Sequence, residues 1–161
     1  MKTLIAGTFL SVALLAGPAV AKNIVETASD AGTFKTLLAA AQAAGLADAL
    51  ATGENLTVFA PTDEAFAKLP AGTVETLLKP ENKDQLVAIL SYHVVPRTLT
   101  ANMLPGPAIH VKTLKKTNDG TLAIAKTATG VTVDNANVIK ADIKTDNGII
   151  HVIDQVMLPS S

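Results

Sequence analysis

The chain has no cysteine and no tryptophan, and its aromatics amount to one tyrosine and four phenylalanines among 161 residues. Without cysteine there is no disulfide framework, no thiolate metal site and no acylated cysteine, so an exported chain of this kind holds together by packing alone. Serine is scarce where chemistry would need it. Between the leader and the tail only Ser29 and Ser91 occur, and neither sits in a Gly-x-Ser-x-Gly elbow, which removes the usual setting for serine hydrolysis. No glycine-rich loop opens a helix, so a phosphate cradle is missing as well. His93, His110 and His151 fall on different elements without His-Glu-x-x-His spacing, and a metal site is not expected. Thirteen basic residues stand against fourteen acidic ones, so no basic excess points to nucleic acid.

What is present begins with MKTLIAGTFLSVALLAGPAVA. Lys2 heads an apolar run from Leu4 to Ala16, Gly17 and Pro18 break it, and Ala19-Val20-Ala21 offers a small-residue cleavage site. A membrane span needs roughly 20 apolar residues, more than this run supplies before it is interrupted. Residues 1–21 therefore read as a cleaved signal peptide. The mature protein is expected to be residues 22–161, one domain, secreted to a periplasm, the cell surface or the medium, with no membrane span. The ending IDQVMLPSS lacks the apolar tail of a glycolipid-anchor signal.

Along the mature chain, Asn23 to Ala51 is rich in helix formers, with Ile24, Phe34, Leu37, Leu38, Ala41, Leu46 and Leu50 at helical spacing. Gly32 and Gly45 divide it into two or three short helices. Asp30 to Thr33 offers capping chemistry before Phe34, and Gly45 is suited to a left-handed stop. LTVFA (Leu56 to Ala60) reads as a strand ended by Pro61, after which Thr62 caps a helix beginning with Asp63 and Glu64. A further helix begins at Thr73, and Pro80 to His93 is the best-patterned helix, with Leu86, Ile89, Leu90 and His93 on one side. After Pro96 come AIHVKTL, TLAIAK, GVTVD, NVIKADI and GIIHVID, separated by turn residues of which Asn147-Gly148 gives the strongest hairpin signal. Helices followed by an antiparallel β half make an α+β domain, with the early strand at Leu56 joining the later ones.

Four segments in order carry a resemblance. TVFAPTDEAFAKLP (Thr57 to Pro70), Tyr92-His93 and NGIIHVIDQVMLP (Asn147 to Pro159), with the opening NIVETA, resemble the first homology box, the Tyr-His motif, the second box and the usual start of the fasciclin (FAS1) domain family. The resemblance spans essentially the whole mature chain. It implies a wedge of about seven strands with several short N-terminal and central helices, the two boxes lying side by side as central strands. It also implies a non-enzymatic adhesion or protein-binding module without cofactor, whose partner is an extracellular protein or a cell-surface or matrix ligand. Asn82-Lys83-Asp84-Gln85-Leu86 matches the integrin-related motif of animal members imperfectly and in the wrong place, and it carries no functional weight.

Site residues come partly from that resemblance and partly from the residues' own pattern. The resemblance implies that Thr62, Asp63 and His93 form a hydrogen-bonded strut between the first box and the Tyr-His helix; Tyr92, from its residue type, is the candidate contact with the outside or equally a core-edge residue. In the second box, Asn147 and Gly148 form the turn, His151 packs in the strand with its ring nitrogens paired, and Asp154 is a turn or surface acceptor. His110 is expected on an exposed strand position. Asn55-Leu56-Thr57 is a glycosylation sequon in a host that uses such sites. The alternative function is binding of an apolar small molecule, a carotenoid or lipid, as some fasciclin-like proteins do. A catalytic reading requires Ser91 to reach His93.

Overall fold

The computed structural model describes residues 22–103, 108–114 and 120–158, so the expected signal peptide, and Gly106-Pro107 where a turn is expected from the sequence, lie outside the described residues. Helix α1 (Ile24–Ala31) opens with a reciprocal capping box. The Asn23 side chain accepts the Glu26 N–H, and the Glu26 carboxylate accepts the Asn23 N–H. Helix α2 (Lys35–Ala44) ends at Gly45, whose φ of 73° is the left-handed stop its position suggested. Its start differs from expectation: Phe34 occupies the cap position and provides no side-chain acceptor. Helices α3 (Ala47–Thr52), α4 (Asp63–Ala67) and α5 (Thr73–Leu77) are short, and the segment expected to be helical from Pro80 opens with a 3-10 turn, Pro80–Asn82, before α6 (Lys83–Tyr92). A second 3-10 turn, Ala101–Met103, had no clear sequence signal.

Seven strands form one sheet in the order β2-β1-β7-β6-β5-β4-β3. They are β1 (Leu56–Pro61), β2 (Val94–Val95), β3 (Ile109–Lys112), β4 (Thr121–Thr127), β5 (Gly130–Val133), β6 (Ala136–Lys144) and β7 (Gly148–Ile153). The run β3 to β7 is an antiparallel meander, but β1 pairs with β7 in parallel, from Leu56 opposite Gly148 to Pro61 opposite Ile153. The two homology boxes therefore lie side by side. Every residue of β1 is buried, which accounts for a sequence that is apolar throughout except at Thr57, where a half-exposed strand would alternate. Two-residue β2 was not legible: Val94-Val95 looks like the exit of a helix until the partners Val58 and Thr57 are known. The Leu114 N–H donates to the Val94 carbonyl at 2.8 Å, joining the end of β3 to β2 and nearly closing the sheet.

Two apolar clusters result. Val58 and Ala60 of β1 and Ile150 and Val152 of β7 pack against Phe34, Leu37, Ala41, Leu86 and Leu90 from the helices. On the other face, Phe59 and Ile153 meet Val95, Leu122, Ile124 and Val133 inside the curled sheet. Alternation along β1 and β7 feeds both clusters from the same strands.

Candidate binding surface

Tyr92 and His93 stand at the end of α6 where it passes between the two clusters. His93 is only 2% exposed. Its Nε2 accepts the Met157 N–H at 3.0 Å and its Nδ1 lies 2.8 Å from the Ile89 carbonyl oxygen. An amide only donates and a carbonyl only accepts, so the ring is the neutral tautomer protonated on Nδ1. Burial pushes its pKa from 6.5 down to about 4, with the Ile89 carbonyl and the Asp134 carboxylate pulling the other way. Both nitrogens being engaged, His93 offers no base to Ser91, which borders an apolar hollow with Leu46, Leu50 and Leu114.

The expected strut of Thr62, Asp63 and His93 is not formed. Thr62 Oγ1 accepts the Ala65 N–H at 3.2 Å and caps α4. The Asp63 carboxylate accepts the Thr36 N–H at 2.8 Å, while the Asp63 N–H donates to the Thr33 carbonyl at 2.9 Å. The reason lies in α2, whose first amides are orphan donors with no local acceptor at Phe34. Asp63 serves as the missing cap from 27 residues away. His93 is left to join α6 to the segment that follows β7.

Of the two readings of Tyr92, the exposed contact is corrected and the core-edge residue is the one the structure has. It is 6% exposed, and its hydroxyl donates to Asp134 Oδ2 at 2.5 Å, with the Thr121 carbonyl at 3.3 Å. Asp134, at φ 48°, uses its other oxygen to accept the Ala123 N–H at 2.9 Å. Adjacent helix positions point about 100° apart, which on a surface helix would leave one of the pair outside. Here α6 is wedged between two cores, so both are covered. Tyr92→Phe is expected to lower stability by about 1 kcal/mol in urea unfolding, since a charge-assisted bond is lost but exposed Asp134 can turn to water. An unchanged midpoint would mean that the hydroxyl contributes nothing.

The second box is a hub of backbone contacts. Asn147 Oδ1 accepts the Ile24 N–H at 2.9 Å, and its Nδ2 faces the carbonyls of Leu50 at 2.7 Å and Gly53 at 2.8 Å. One carboxamide thus ties the start of α1, the end of α3 and the approach to β1. His151 is buried and stacked on Phe59 at 5.4 Å between centroids. Its Nδ1 accepts the Asp142 N–H at 3.3 Å and its Nε2 donates to the Leu99 carbonyl at 2.7 Å, while burial lowers its pKa against the pulls of that carbonyl and Asp142. Thr57, wholly buried, continues this line by accepting the Leu99 N–H at 2.8 Å and donating to the Arg97 carbonyl at 2.6 Å. Asp142, at φ 57° in a β6 irregularity, accepts the Ala101 N–H at 2.8 Å. Sequence reasoning singled out neither Thr57, Asp134 nor Asp142; only the polar threonine in an apolar strand was a signal. Asp154 accepts from both the backbone and side chain of Asn137. Its partial burial raises the carboxyl pKa, but the Asn137 bonds and Lys68 outweigh this and the net shift is downward.

Beside Tyr92 the surface opens into a cleft of about 600 Å³, walled by His110 on β3, the Asp134-Asn135 turn and the segment from Gln155 to Leu158. Under α1 to α3 there is a hollow lined by aliphatic side chains and His93, but it holds only about 30 Å³, far below the ~300 Å³ at which small-molecule pockets begin. Asn55 is exposed at the entry to β1, with φ 55°. Among the described residues no three histidine or carboxylate side chains are grouped to hold a metal ion, and no helix is long and apolar enough to cross a membrane.

The family model for the Fasciclin domain matches residues 32–159, which include both boxes and Tyr92-His93. The chain belongs to the fasciclin domain family. Protein sll1483 of Synechocystis sp. is 51% identical to this fasciclin domain over 147 residues, covering 86% of this chain and 74% of that protein. Human periostin is 33% identical over 141 residues, 87% of this chain but 16% of periostin. The FAS1 domain pair of the insect cell adhesion molecule Fasciclin I shares the fold, with a TM-score of 0.59 at 22% identity over 82% of this chain and 46% of that one. The fasciclin domain here thus spans about a sixth of periostin and about half of the insect domain pair.

Proposed function

We propose that this fasciclin domain is a secreted, non-enzymatic adhesion or protein-binding module, exported by the signal peptide at residues 1–21 and acting at a cell surface or in a matrix. The family match over residues 32–159 carries the reading, because both homology boxes and Tyr92-His93 fall within it. The insect relative of the same fold is described as a cell adhesion molecule, which supports this assignment. The engagement of both His93 nitrogens by backbone groups supports it from the chemical side, since it takes away the base that Ser91 would need.

The test compares surface attachment of cells with and without the exported protein, with mature protein beginning at Lys22, verified by mass spectrometry, immobilised as bait. Attachment is expected to fall when the protein is absent and to be restored by adding it. Indifference of the cells, together with coloured or lipid-loaded native protein, would replace adhesion with small-molecule binding.

A further inference from the structure

We infer that the cleft beside Tyr92 is a binding site for a neutral saccharide chain. The inference rests on the adhesion reading and gives its ligand a chemical class. At about 600 Å³ the cleft falls within the range of roughly 300–1,000 Å³ occupied by small-ligand sites. Its wall presents the Asn135 and Gln155 carboxamides and the His110 imidazole, all exposed and none bonded to another described residue. Asp134 adds a carboxylate fixed in place by Tyr92 and by the Ala123 N–H. These bonds use two of the roughly four acceptor positions of a carboxylate, so Asp134 can still receive hydrogen bonds from a ligand.

Planar amides and a carboxylate, each offering two polar atoms side by side, match the adjacent hydroxyls of a sugar ring. Leu158, 54% exposed, supplies an apolar surface for the C–H side of that ring. Other ligand classes fit less well. Among the described residues no lysine or arginine lines the cleft, which disfavours phosphate, sulfated glycans and nucleic acid. Nor can a peptide add to β4 there as an extra strand, because β3 and β5 already pair with both of its edges.

The site is held by the fold, which limits the ordering cost of binding. The Met157 N–H is bonded to His93, fixing the segment that carries Gln155 and Leu158, and Tyr92 fixes Asp134. Recognition is thus assigned to exposed side chains, and the Tyr92-His93 pair acts behind them in a positioning role.

The experiment titrates mature protein with cello-, malto- and laminari-oligosaccharides, and with a heparin oligosaccharide, while amide resonances are followed by NMR. A neutral oligosaccharide is expected to shift the resonances of Asn135 and Gln155, and the double variant Asn135→Ala, Gln155→Ala to bind it roughly tenfold more weakly with unchanged thermal stability. Gln85→Ala, on a separate hollow, is the control and should bind as wild type. Absence of shifts with all three neutral series, or undiminished binding by the double variant, overturns the inference, as does binding of heparin alone. Cell attachment separates the two readings: if wild-type protein supports attachment and the double variant does so equally, the cleft is not the contact and adhesion stands. Wild-type protein that binds saccharide but supports no attachment removes adhesion and leaves the cleft.

Discussion

Gly148→Ala is expected to destabilise the domain by roughly 3 to 5 kcal/mol, enough to remove much of the stability of a typical domain. A Cβ at this position would lie 2.1 Å from the Leu56 carbonyl oxygen and 2.9 Å from its carbonyl carbon. Neither is the movable tip of a side chain. Relief requires β1 and β7 to separate where the parallel pairing starts, at Leu56 opposite Gly148. Separation would also stretch the 3.2 Å bond from the Leu56 N–H to the Asn147 carbonyl and displace the Asn147 carboxamide from α1 and α3. For a chain of this size the melting temperature should fall on the order of 10 °C or more. Gly72→Ala is the comparison: its φ of 80° strains an alanine, but nothing lies within 4 Å of the added methyl, so the cost should stay at about 1 to 2 kcal/mol. Equal melting temperatures for the two variants would show that the strand approach at Gly148 is not the controlling contact.

That glycine shows how far the sequence could be read. Asn147-Gly148 correctly marks the end of β6 and the start of β7, because the pair is rare in strand interiors. Tight hairpin turns draw on glycine for positive φ, yet Gly148 is not among the glycines with positive φ. It is small because another strand passes close by, and Asn147 is polar because three chain segments end around it. Local rules work where the partner is local: Thr62 bonds three residues ahead and Gly45 closes its own helix. They fail where the partner is distant, as with Asp63 and Thr36, or Tyr92 and Asp134. Asp63 reads as a dipole partner for its own helix because a first-turn acid commonly has that role. Nothing in the pattern reveals that α2, 27 residues earlier, lacks a cap. The cleft was illegible for the same reason, since His110, Asn135 and Gln155 meet only after β3 to β7 have paired.

Acid should expose the contribution of His93. In the native protein its pKa is about 4, whereas an unfolded histidine titrates near 6.5. Between these values the unfolded chain binds more protons than the native one, so stability rises with pH across the window and falls as pH drops through it. The contribution is complete above pH 6.5 and, taken alone, about 3 kcal/mol is lost on reaching pH 4. His151, whose pKa is also lowered, adds loss in the same direction below its unfolded pKa. Protonation at Nε2 would set a second donor against the Met157 N–H, so the geometry opposes the charge in the same direction as burial does. His93→Leu should be less stable than wild type at neutral pH by about 1 to 3 kcal/mol, because the Met157 N–H and the Ile89 carbonyl lose their ring partner. Its stability should nevertheless depend less on pH, the slope between pH 4 and 6.5 falling by up to ~1.4 kcal/mol per pH unit, the value for one proton. Urea unfolding of both proteins at a series of pH values measures this. Parallel pH profiles would mean that His93 is not buried as a neutral ring, and the link from α6 to the segment beyond β7 would have to be carried by packing alone.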